Sequence, residues 1–473
     1  MSNSIEIPKI DNIETIVEKI KSKELKVLDL VIEHLERAKL VQEKTNSFIT
    51  ILEDQALANA KELDLQIEKG EVDIESKPLL GIPFTAKDLY LVKDTKTTFG
   101  TKLMENFVAP YTSTVVQKCL DAGAILIAKA NLDPFGYGSS GESSGYGPTK
   151  NPYDLERVPG GSSSGSGASI AAGVGLFSLG TDTGGSVRLP ASFCGVYALK
   201  PTYGHNSRYG VGVYASSFDT PGFFSRHPED IKLLEDVMKG RDENDATTYE
   251  IDHLEIKNNK TIGLPREFFT EDLNPEIKDK INQKVELLKS NGYEIKEISI
   301  PSLKYALAAY YVLVMAETSS NRARYDAVRY GEKISDDYEE NMSGGRAQFF
   351  EDEVKRRIMV GTYVLSAGYG DQYYQKASIV RTKLKKEFDE AFKEVDVIIS
   401  PIANETAFKI EEKSSDPVSM YLTDIYTVTA NVVGIPALAI PAGMSLEGLP
   451  IGMQLIGKKF HEDQLVDVAK VVR

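Results

Sequence analysis

Pro159-Gly160-Gly161-Ser162-Ser163-Ser164-Gly165-Ser166-Gly167-Ala168-Ser169 is the most unusual stretch of the chain, because glycine and serine occupy nearly all of it. A flexible linker is one interpretation of such a composition. Two apolar segments, Ile170-Ala171-Ala172 and Val174-Gly175-Leu176-Phe177, follow at once and are typical of a buried helix and strand. A nucleotide-phosphate loop is excluded, because Ser166 stands after Gly165 where that loop requires lysine. We therefore predict that the stretch belongs to the folded core.

The same stretch satisfies the Gly-x-Ser-x-Gly pattern of a nucleophile elbow, with Ser163 as the nucleophile. An elbow also needs an acidic residue and then a histidine further along the chain, and His461 is the formal candidate for that base. Five-residue patterns arise easily by chance in a serine-rich stretch. The elbow is therefore kept as an alternative interpretation of these serines.

Two further segments carry groups that nucleophilic catalysis can use. In Thr181-Asp182-Thr183-Gly184-Gly185-Ser186-Val187-Arg188 two glycines precede a serine, so backbone N–H groups can approach a substrate oxygen closely. Lys87 follows the apolar run 79–86, and at the end of a buried strand a lysine can lose its charge and act as a base. Taken alone, Lys87 fits a surface lysine at a strand end better.

Lys87, Ser162 and Ser186, in these contexts, resemble the amidase signature family, whose hallmark is a Ser–cis-Ser–Lys triad. The spacing of the two serines matches that family, as do the segments 160–163, 180–188 and 193–202. The resemblance implies that Ser186 is the nucleophile, that Ser162 follows a cis peptide bond and relays a proton, and that neutral Lys87 is the base. It also implies an oxyanion hole built from the backbone N–H groups of Thr183, Gly184 and Gly185.

Later segments resemble one branch of the family, the subunits that hydrolyse glutamine within tRNA-dependent amidotransferases. These segments are 151–159, 317–326, 353–359, 420–426 and 450–458. The resemblance implies that ammonia from glutamine serves to transamidate misacylated Glu-tRNA(Gln) or Asp-tRNA(Asn), and that Arg357 and Asp424 bind glutamine. Without it, Arg357 would be assigned to a solvated helix face and Asp424 to a helix cap. A stand-alone amidase that acts on other amides is the alternative function.

The chain departs from the family pattern at three places. Ser164 stands where glycine is usual, the segment 140–143 reads Ser-Gly-Glu-Ser in place of Ser-Thr-Glu-Asn, and His205 replaces an arginine. The departures at Ser164, Gly141 and Ser143 lie beside the predicted site and bear on substrate choice.

Composition limits the partners of this chain. Its 55 basic and 70 acidic residues give a net charge of −15, which repels phosphate backbones and anionic lipid, so we expect no direct contact with nucleic acid or membrane. The resemblance implies a kinase-like, tRNA-binding B subunit that uses ATP and Mg²⁺, and a small C-type subunit. Two cysteines, Cys119 and Cys194, and five scattered histidines show no metal-ligand spacing, so we expect no metal or cofactor in this chain. The N-terminus lacks a signal layout and predicts a cytoplasmic protein, or a mitochondrial matrix protein if the chain is organellar.

Short apolar runs separated by helical stretches predict an α/β fold with a sheet buried on both faces. The runs are 79–86, 124–128, 395–401 and 437–441. Together with the resemblance they predict a single large domain (76–473) with a central mixed sheet covered by helices on both faces. We expect a helical N-terminal region (1–75) packed on that core and a mostly helical insertion or cap (240–390). Its clearest predicted helices are 317–330 and 373–392.

Overall fold

One sheet of eleven strands organises the chain in the computed structural model, which describes residues 3–250 and 260–473. The strands are β1 (Phe48–Ile51), β2 (Pro83–Lys87), β3 (Ile125–Ala130), β4 (Phe177–Asp182), β5 (Tyr197–Lys200), β6 (Thr220–Ser225), β7 (Thr261–Pro265), β8 (Glu294–Ile298), β9 (Val397–Pro401), β10 (Ala437–Met444) and β11 (Pro450–Gly457). Their order across the sheet is β1-β3-β2-β4-β6-β5-β10-β11-β9-β7-β8. β2 runs parallel to β3 and β4, and β7 runs parallel to β8 and β9, whereas the remaining neighbours are antiparallel. The predicted mixed sheet is confirmed.

Helices cover both faces of this sheet. They are α1 (Ile13–Lys21), α2 (Val27–Thr45), α3 (Glu53–Lys69), α4 (Thr114–Asp121), α5 (Ser164–Ala171), α6 (Arg188–Cys194), α7 (Pro228–Met238), α8 (Pro275–Ser290), α9 (Ala306–Arg322), α10 (Tyr338–Phe349), α11 (Asp352–Leu365), α12 (Tyr374–Ala391), α13 (Pro417–Leu422), α14 (Val428–Val433) and α15 (Glu462–Val471). Side chains alternate between the faces of a strand, and every residue of β2, β3, β4 and β11 is buried, so neither face at the centre meets solvent. The α/β class is confirmed. Among the described residues, no helix combines the length and the apolar composition needed to cross a membrane.

The N-terminal region contains three helices and one strand. The side chain of Asn12 caps α1 by accepting a hydrogen bond of 2.9 Å from the Thr15 N–H. The buried face of α1 consists of the apolar residues whose spacing indicated a helix: Ile13, Ile16, Val17 and Ile20. β1 pairs antiparallel with β3, so residues 48–51 add an edge strand that the prediction of a helical region did not include. The boundary near residue 75 stays a prediction, and Met1 and Ser2 lie outside the described residues.

The segment 240–390 supplies helices α8–α12, but it also supplies two strands. β7 and β8 pair parallel with each other, and β7 pairs with β9, so part of this segment extends the central sheet. The predicted helical insertion therefore contains two strands of the central sheet in addition to its helices. Residues 251–259 of the predicted segment lie outside the described residues.

One predicted helix has the wrong boundaries. The prediction placed a helix over 317–330, whereas α9 begins at Ala306 and ends at Arg322. The Asp326 carboxylate accepts the N–H groups of Val328 and Arg329 at 3.1 and 2.9 Å. Such local bonds from an aspartate side chain compete with helical hydrogen bonds and favour a turn. The predicted helix 373–392 matches α12 within one residue at each end.

The topology brings the predicted catalytic segments together at the carboxyl ends of two central strands. β2 and β4 are parallel neighbours, with Ala86 opposite Leu179, so their carboxyl ends lie side by side. Lys87 is the last residue of β2, and the turn that carries Ser186 begins where β4 ends. The Gly/Ser stretch leads into α5, whose residues are all buried, so the stretch belongs to the core as predicted. Parallel pairing thus places Lys87 and Ser186 at the same end of neighbouring strands, although they are far apart in sequence.

Candidate active site

Three hydroxyl groups surround the side-chain nitrogen of Lys87. Its Nζ lies 2.8 Å from Ser162 Oγ, 3.0 Å from Ser163 Oγ and 2.9 Å from Thr181 Oγ1. The Lys87 side chain is fully buried. Two of the three predicted catalytic residues are thus in direct contact.

Burial also sets the charge of this lysine. Loss of solvation lowers the pKa of Lys87 from its usual value to about 7. Three buried carboxylates act in the opposite direction and raise it: Asp133, Asp182 and Asp219. Near pH 7 a large share of Lys87 is therefore a neutral amine with a free lone pair.

The hydrogen bonds around Lys87 direct that lone pair. The Ser163 hydroxyl donates to the Thr181 carbonyl at 3.2 Å, so its own hydrogen is used and its oxygen is left to accept from Lys87. The Thr181 hydroxyl oxygen offers a second acceptor. A neutral amine has two hydrogens and one lone pair, and two acceptors for the hydrogens leave the lone pair to face Ser162.

Ser162 is held through its backbone. The peptide bond between Gly161 and Ser162 is cis, as the resemblance implied. The Gly161 N–H donates to the Ser139 carbonyl at 2.9 Å, and the Asp133 N–H donates to the Ser162 carbonyl at 3.2 Å. A Cβ at Gly161 would collide with the Asp133 carboxylate, so this position requires glycine. The serine hydroxyl is therefore fixed toward Lys87 by contacts on both sides of the peptide.

Ser186 lies beside this pair on a turn braced by Asp182. The two Asp182 oxygens accept the N–H groups of Gly185 at 2.9 Å and Val187 at 3.2 Å, on either side of the serine. The Ser163 N–H donates to the Ser186 carbonyl at 3.2 Å, which brings the turn against the Gly/Ser stretch. Ser186 is 8% exposed, compared with 1% for Ser162. Of these two serines, Ser186 is the more accessible to solvent.

Arg188 completes the support of that turn. Burial opposes the ionisation of Asp182, but the adjacent Arg188 guanidinium lowers the pKa of that carboxyl to about 2. Arg188 Nε and Nη2 each lie 3.0 Å from an Asp182 oxygen. Arg188 also donates to Gln454 at 2.7 Å and to Asn431 at 2.6 Å, and it has no solvent exposure. A buried carboxylate and guanidinium, satisfied by each other and by two amides, thus brace the turn that carries Ser186.

One predicted oxyanion donor is already engaged. The Gly185 N–H donates to Asp182, so Gly185 supports the turn and is not a free donor in this conformation. Within residues 3–250 and 260–473, the N–H groups of Thr183 and Gly184 have no such partner. The Gly184 carbonyl accepts a hydrogen bond of 2.6 Å from the Thr427 hydroxyl, which fixes the peptide plane after Gly184. The donors predicted at Thr183 and Gly184 stay a prediction, and the one at Gly185 is corrected.

Arg357 and Asp424, the residues predicted to bind substrate, are both buried. Arg357 is 3% exposed; its Nε pairs with Glu353 at 2.7 Å and its Nη1 contacts the Tyr214 hydroxyl. The Asp424 carboxylate accepts hydrogen bonds from Tyr311 at 2.7 Å and from Ser139 at 2.8 Å. Asp424 caps no helix and Arg357 lies on no solvated face, so both alternative interpretations are wrong.

Asp424 is connected to the predicted catalytic residues. The Ser139 hydroxyl binds Asp424, while its carbonyl accepts the Gly161 N–H beside Ser162. The Thr427 hydroxyl donates to the Gly184 carbonyl at 2.6 Å, and its oxygen lies 3.1 Å from the Asp424 carbonyl oxygen. The Tyr310 hydroxyl lies against Gly184, where a Cβ would collide with it. Hydrogen bonds through Ser139 and Thr427 therefore link Asp424 to the two segments that carry Ser162 and Ser186.

Burial also affects the pocket anion. It raises the pKa of the Asp424 carboxyl to about 6, while hydrogen bonds from Tyr311 and Ser139 and the charge of Arg357 lower it. Asp424 is thus mostly ionised at pH 7 and becomes neutral below pH 6. The sequence did not single out Tyr214 or Tyr311, because a tyrosine among apolar residues resembles an ordinary core position, nor Ser139, which is one of several serines in a Gly/Ser-rich loop.

Two departures from the family pattern compensate each other. A Cβ at Gly141 would collide with the Cβ of Ser164, so a side chain at one position requires glycine at the other. Ser164 Oγ lies 3.0 Å from Thr149 Oγ1, and Ser143 donates to Asp133 at 2.7 Å. These substitutions repack the wall behind the Gly161–Ser162 peptide.

The nucleophile-elbow alternative fails on geometry. Ser163 Oγ contacts Lys87 and Thr181, whereas the ring of His461 contacts the Lys459 carbonyl at the start of α15. Among the described residues, no hydrogen bond joins Ser163 to a histidine. Ser163 therefore lacks the base that an elbow requires.

Comparisons with known proteins agree with this geometry. A family model described as Amidase matches residues 29–466. The chain is 48% identical to the A subunit of glutamyl-tRNA(Gln) amidotransferase from Sulfurihydrogenibium sp. (strain YO3AOP1), over 95% of this chain and 94% of that one. It is 46% identical to the protein of the same name from Carboxydothermus hydrogenoformans, over 96% and 95%.

A solved structure extends the similarity to three dimensions. The crystal structure of the corresponding glutamyl-tRNA(Gln) amidotransferase polypeptide from Thermotoga maritima superposes with a TM-score of 0.80 at 35% identity, covering 99% of this chain and 96% of that one. The family model, the full-length identities and the shared fold are in agreement. The chain belongs to the amidase family.

Proposed function

We propose that this chain is the glutamine-hydrolysing subunit of a tRNA-dependent amidotransferase, and that its ammonia serves to convert Glu-tRNA(Gln), or Asp-tRNA(Asn), to the amidated product. The observation that carries the proposal is the contact of a buried Lys87 with Ser162, next to a Ser186 turn that Thr427 links to the buried Asp424. Relatives named as components of glutamyl-tRNA(Gln) amidotransferase favour the Gln-tRNA product.

The catalytic step begins with Ser186 Oγ, which attacks the carboxamide carbon of glutamine. Its proton passes to Ser162 Oγ, and the proton of Ser162 passes to the lone pair of Lys87. The N–H groups of Thr183 and Gly184 stabilise the negative oxygen that forms. The carbon–nitrogen bond then breaks, and the relay returns a proton to the leaving nitrogen, which departs as ammonia.

The remaining ester is cleared by the same groups in reverse. Water attacks the γ-glutamyl ester, its proton moves through Ser162 to Lys87, and the Ser186 oxygen regains a proton as glutamate leaves. The pocket serves both half-reactions, because its Arg357 cation and Asp424 anion match the α-carboxylate and the α-ammonium of glutamine. A small uncharged amide makes neither contact.

Steady-state kinetics of the purified chain test this function directly. We expect kcat/KM for glutamine to exceed that for a small uncharged amide such as propionamide by at least about 100-fold, since two charged contacts contribute roughly 1.5–3 kcal/mol each. Addition of the partner subunits, misacylated tRNA and ATP should then yield amidated aminoacyl-tRNA. Equal rates on glutamine and propionamide would instead favour a stand-alone amidase.

The pKa of Lys87 predicts the pH dependence of this activity. Protonated Lys87 cannot accept a proton, so kcat/KM for propionamide, which does not use Asp424, should rise about tenfold per pH unit below pH 7 and level off above it. Lys200 is the matched control, because burial lowers its pKa to about 7 as well, yet its Nζ donates to the Pro201 carbonyl and to no catalytic hydroxyl. A Lys200→Met variant should keep the midpoint of the profile. If Lys200→Met abolished the midpoint of the pH profile near pH 7, the assignment of Lys87 as the base would be contradicted.

The partners follow from the charge of the chain. With a net charge of −15, the isolated chain should not bind tRNA measurably at physiological salt, because it has no excess of cations to displace counterions. We therefore propose that a separate B subunit holds the tRNA and uses ATP and Mg²⁺. We also propose, from the family resemblance, that a small C-type subunit completes the complex and that the complex works in the cytoplasm. Gel-shift titration of tRNA with the purified chain is the measurement. Sub-micromolar binding of tRNA by this chain alone would contradict the assignment of tRNA binding to a separate subunit.

A further inference from the structure

Three buried side chains from distant segments meet outside the catalytic site. His205 lies on the loop after β5, Glu235 on α7, and Glu462 at the start of α15. One ligand atom from each lies within 4.8 Å of the other two, with His205 Nε2 3.0 Å from Glu235 Oε1 and His205 Nδ1 3.5 Å from Glu462 Oε1. None of the three is more than 2% exposed.

These short separations lack the geometry of hydrogen bonds. Both ring nitrogens of His205, together with Oε2 of Glu235 and Oε2 of Glu462, are buried and have no hydrogen-bond partner among the described residues. Buried polar atoms in folded proteins nearly always have a partner. Four unpartnered atoms in one cluster therefore indicate that the cluster binds something.

The charge of the cluster indicates what it binds. When both glutamates are ionised, they place two negative charges in the interior, which is costly unless cations compensate them. Within the described part of the chain, no lysine or arginine forms an ion pair with either glutamate. The nearby Lys239 pairs with Asp236 at 2.6 Å, and Lys200 donates to the Pro201 carbonyl at 2.7 Å. A singly charged imidazolium would compensate only half of this charge, whereas a divalent cation compensates all of it.

We propose that His205, Glu235 and Glu462 form a structural site for a divalent transition-metal ion. An imidazole nitrogen with two carboxylate oxygens is a ligand set that suits Zn²⁺, whereas Mg²⁺ and Ca²⁺ prefer oxygen alone. The Thr202 N–H donates to Glu462 Oε1 at 2.8 Å and orients that ligand. The bound ion joins α7, α15 and the loop after β5. The ligands are too far apart in sequence for any motif to reveal them.

Zinc binding by the full-length chain tests the site. The chain is treated with chelator, titrated with ZnCl₂ by calorimetry, and analysed for zinc after gel filtration. We expect about one Zn²⁺ per chain and a higher melting temperature with zinc, because a ligand that binds only the folded state stabilises it. The His205→Arg variant keeps a cation between the two glutamates but removes the nitrogen ligand. It should fold, retain no stoichiometric zinc and show no zinc-dependent melting shift.

Two more variants keep the test decisive. Glu462→Gln removes one charged ligand at constant shape and should also lose zinc, so the test does not depend on the folding of His205→Arg. His227→Gln alters a histidine outside the cluster, whose Nε2 contacts the Ile10 carbonyl at 2.8 Å, and it should bind zinc like the wild type. Failure of the wild-type chain to retain zinc, or equal retention by His205→Arg, would overturn the proposal.

Discussion

Ser186→Ala should abolish amide hydrolysis, with kcat reduced by at least about 10³-fold, while the fold is unchanged. The substitution removes one oxygen from a side chain that is 8% exposed, and the turn around it is held by the backbone contacts of Asp182, which alanine keeps. No other hydroxyl takes its place, because Ser163 is already bonded to Lys87 and Thr181. The measurement is ammonia release from glutamine, with circular dichroism as the check on folding.

Ser162→Ala and Lys87→Met should each lower kcat by several orders of magnitude. The kcat of the double variant should be no lower than that of either single variant. The two groups form one proton path, with 2.8 Å between Oγ and Nζ, so the loss of either removes the whole path. Methionine is the better replacement for Lys87, because it fills a similar volume in a fully buried site.

Ser166→Ala provides the matched control for both serine variants. Ser166 lies in the same Gly/Ser stretch and is fully buried, and its hydroxyl donates to the Leu179 carbonyl at 2.9 Å, away from Lys87. Its replacement should leave kcat within a few-fold of the wild type. Losses that multiply in the double variant, or a Ser166→Ala variant as inactive as Ser162→Ala, would show that the effects come from damaged packing.

The sequence could predict the sheet but not all of its strands. Runs such as 395–401 are apolar throughout, and only a strand covered on both faces needs that pattern. β8 was not predicted, because its residues are partly exposed at the sheet edge and its sequence therefore contains no continuous apolar run. The end of α9 was misplaced for a related reason. The turn after Arg322 depends on the side-chain bonds of Asp326, whereas the helical prediction relied on spacing alone.

The candidate catalytic residues could be proposed from the sequence only through a joint pattern. Lys87 taken alone resembles a surface lysine, and its burial follows from the pairing of β2 with both β3 and β4, which no local pattern encodes. The same holds for the pocket. Arg356 and Arg357 are adjacent in sequence, yet the Arg356 side chain is 42% exposed and that of Arg357 is 4% exposed, because α11 turns only one of them inward.

Arg357→Ala and Asp424→Asn should each raise the KM for glutamine by at least about tenfold, since a lost charged contact costs roughly 1.5–3 kcal/mol. Arg356→Ala is the control for the first variant. Both arginines pair with Glu353, but Arg356 does so from the exposed side, so its loss should not affect KM. Turnover of propionamide, which uses neither charge, should change little in all three variants. Equal losses on both substrates would indicate a damaged fold and contradict the assignment of the pocket.

The pH dependence separates the pocket from the catalytic base. Burial raises the pKa of Asp424 to about 6, so acidification below pH 6 removes the anion that receives the α-ammonium of glutamine. Protonation of Lys87 slows both substrates equally and cancels in the ratio of kcat/KM for glutamine to kcat/KM for propionamide. That ratio should therefore be constant above pH 6 and fall below it in the wild type. In Asp424→Asn, where no charge remains to be lost, it should be low and independent of pH. A ratio that falls with the same midpoint in Asp424→Asn would place the titrating group elsewhere in the pocket.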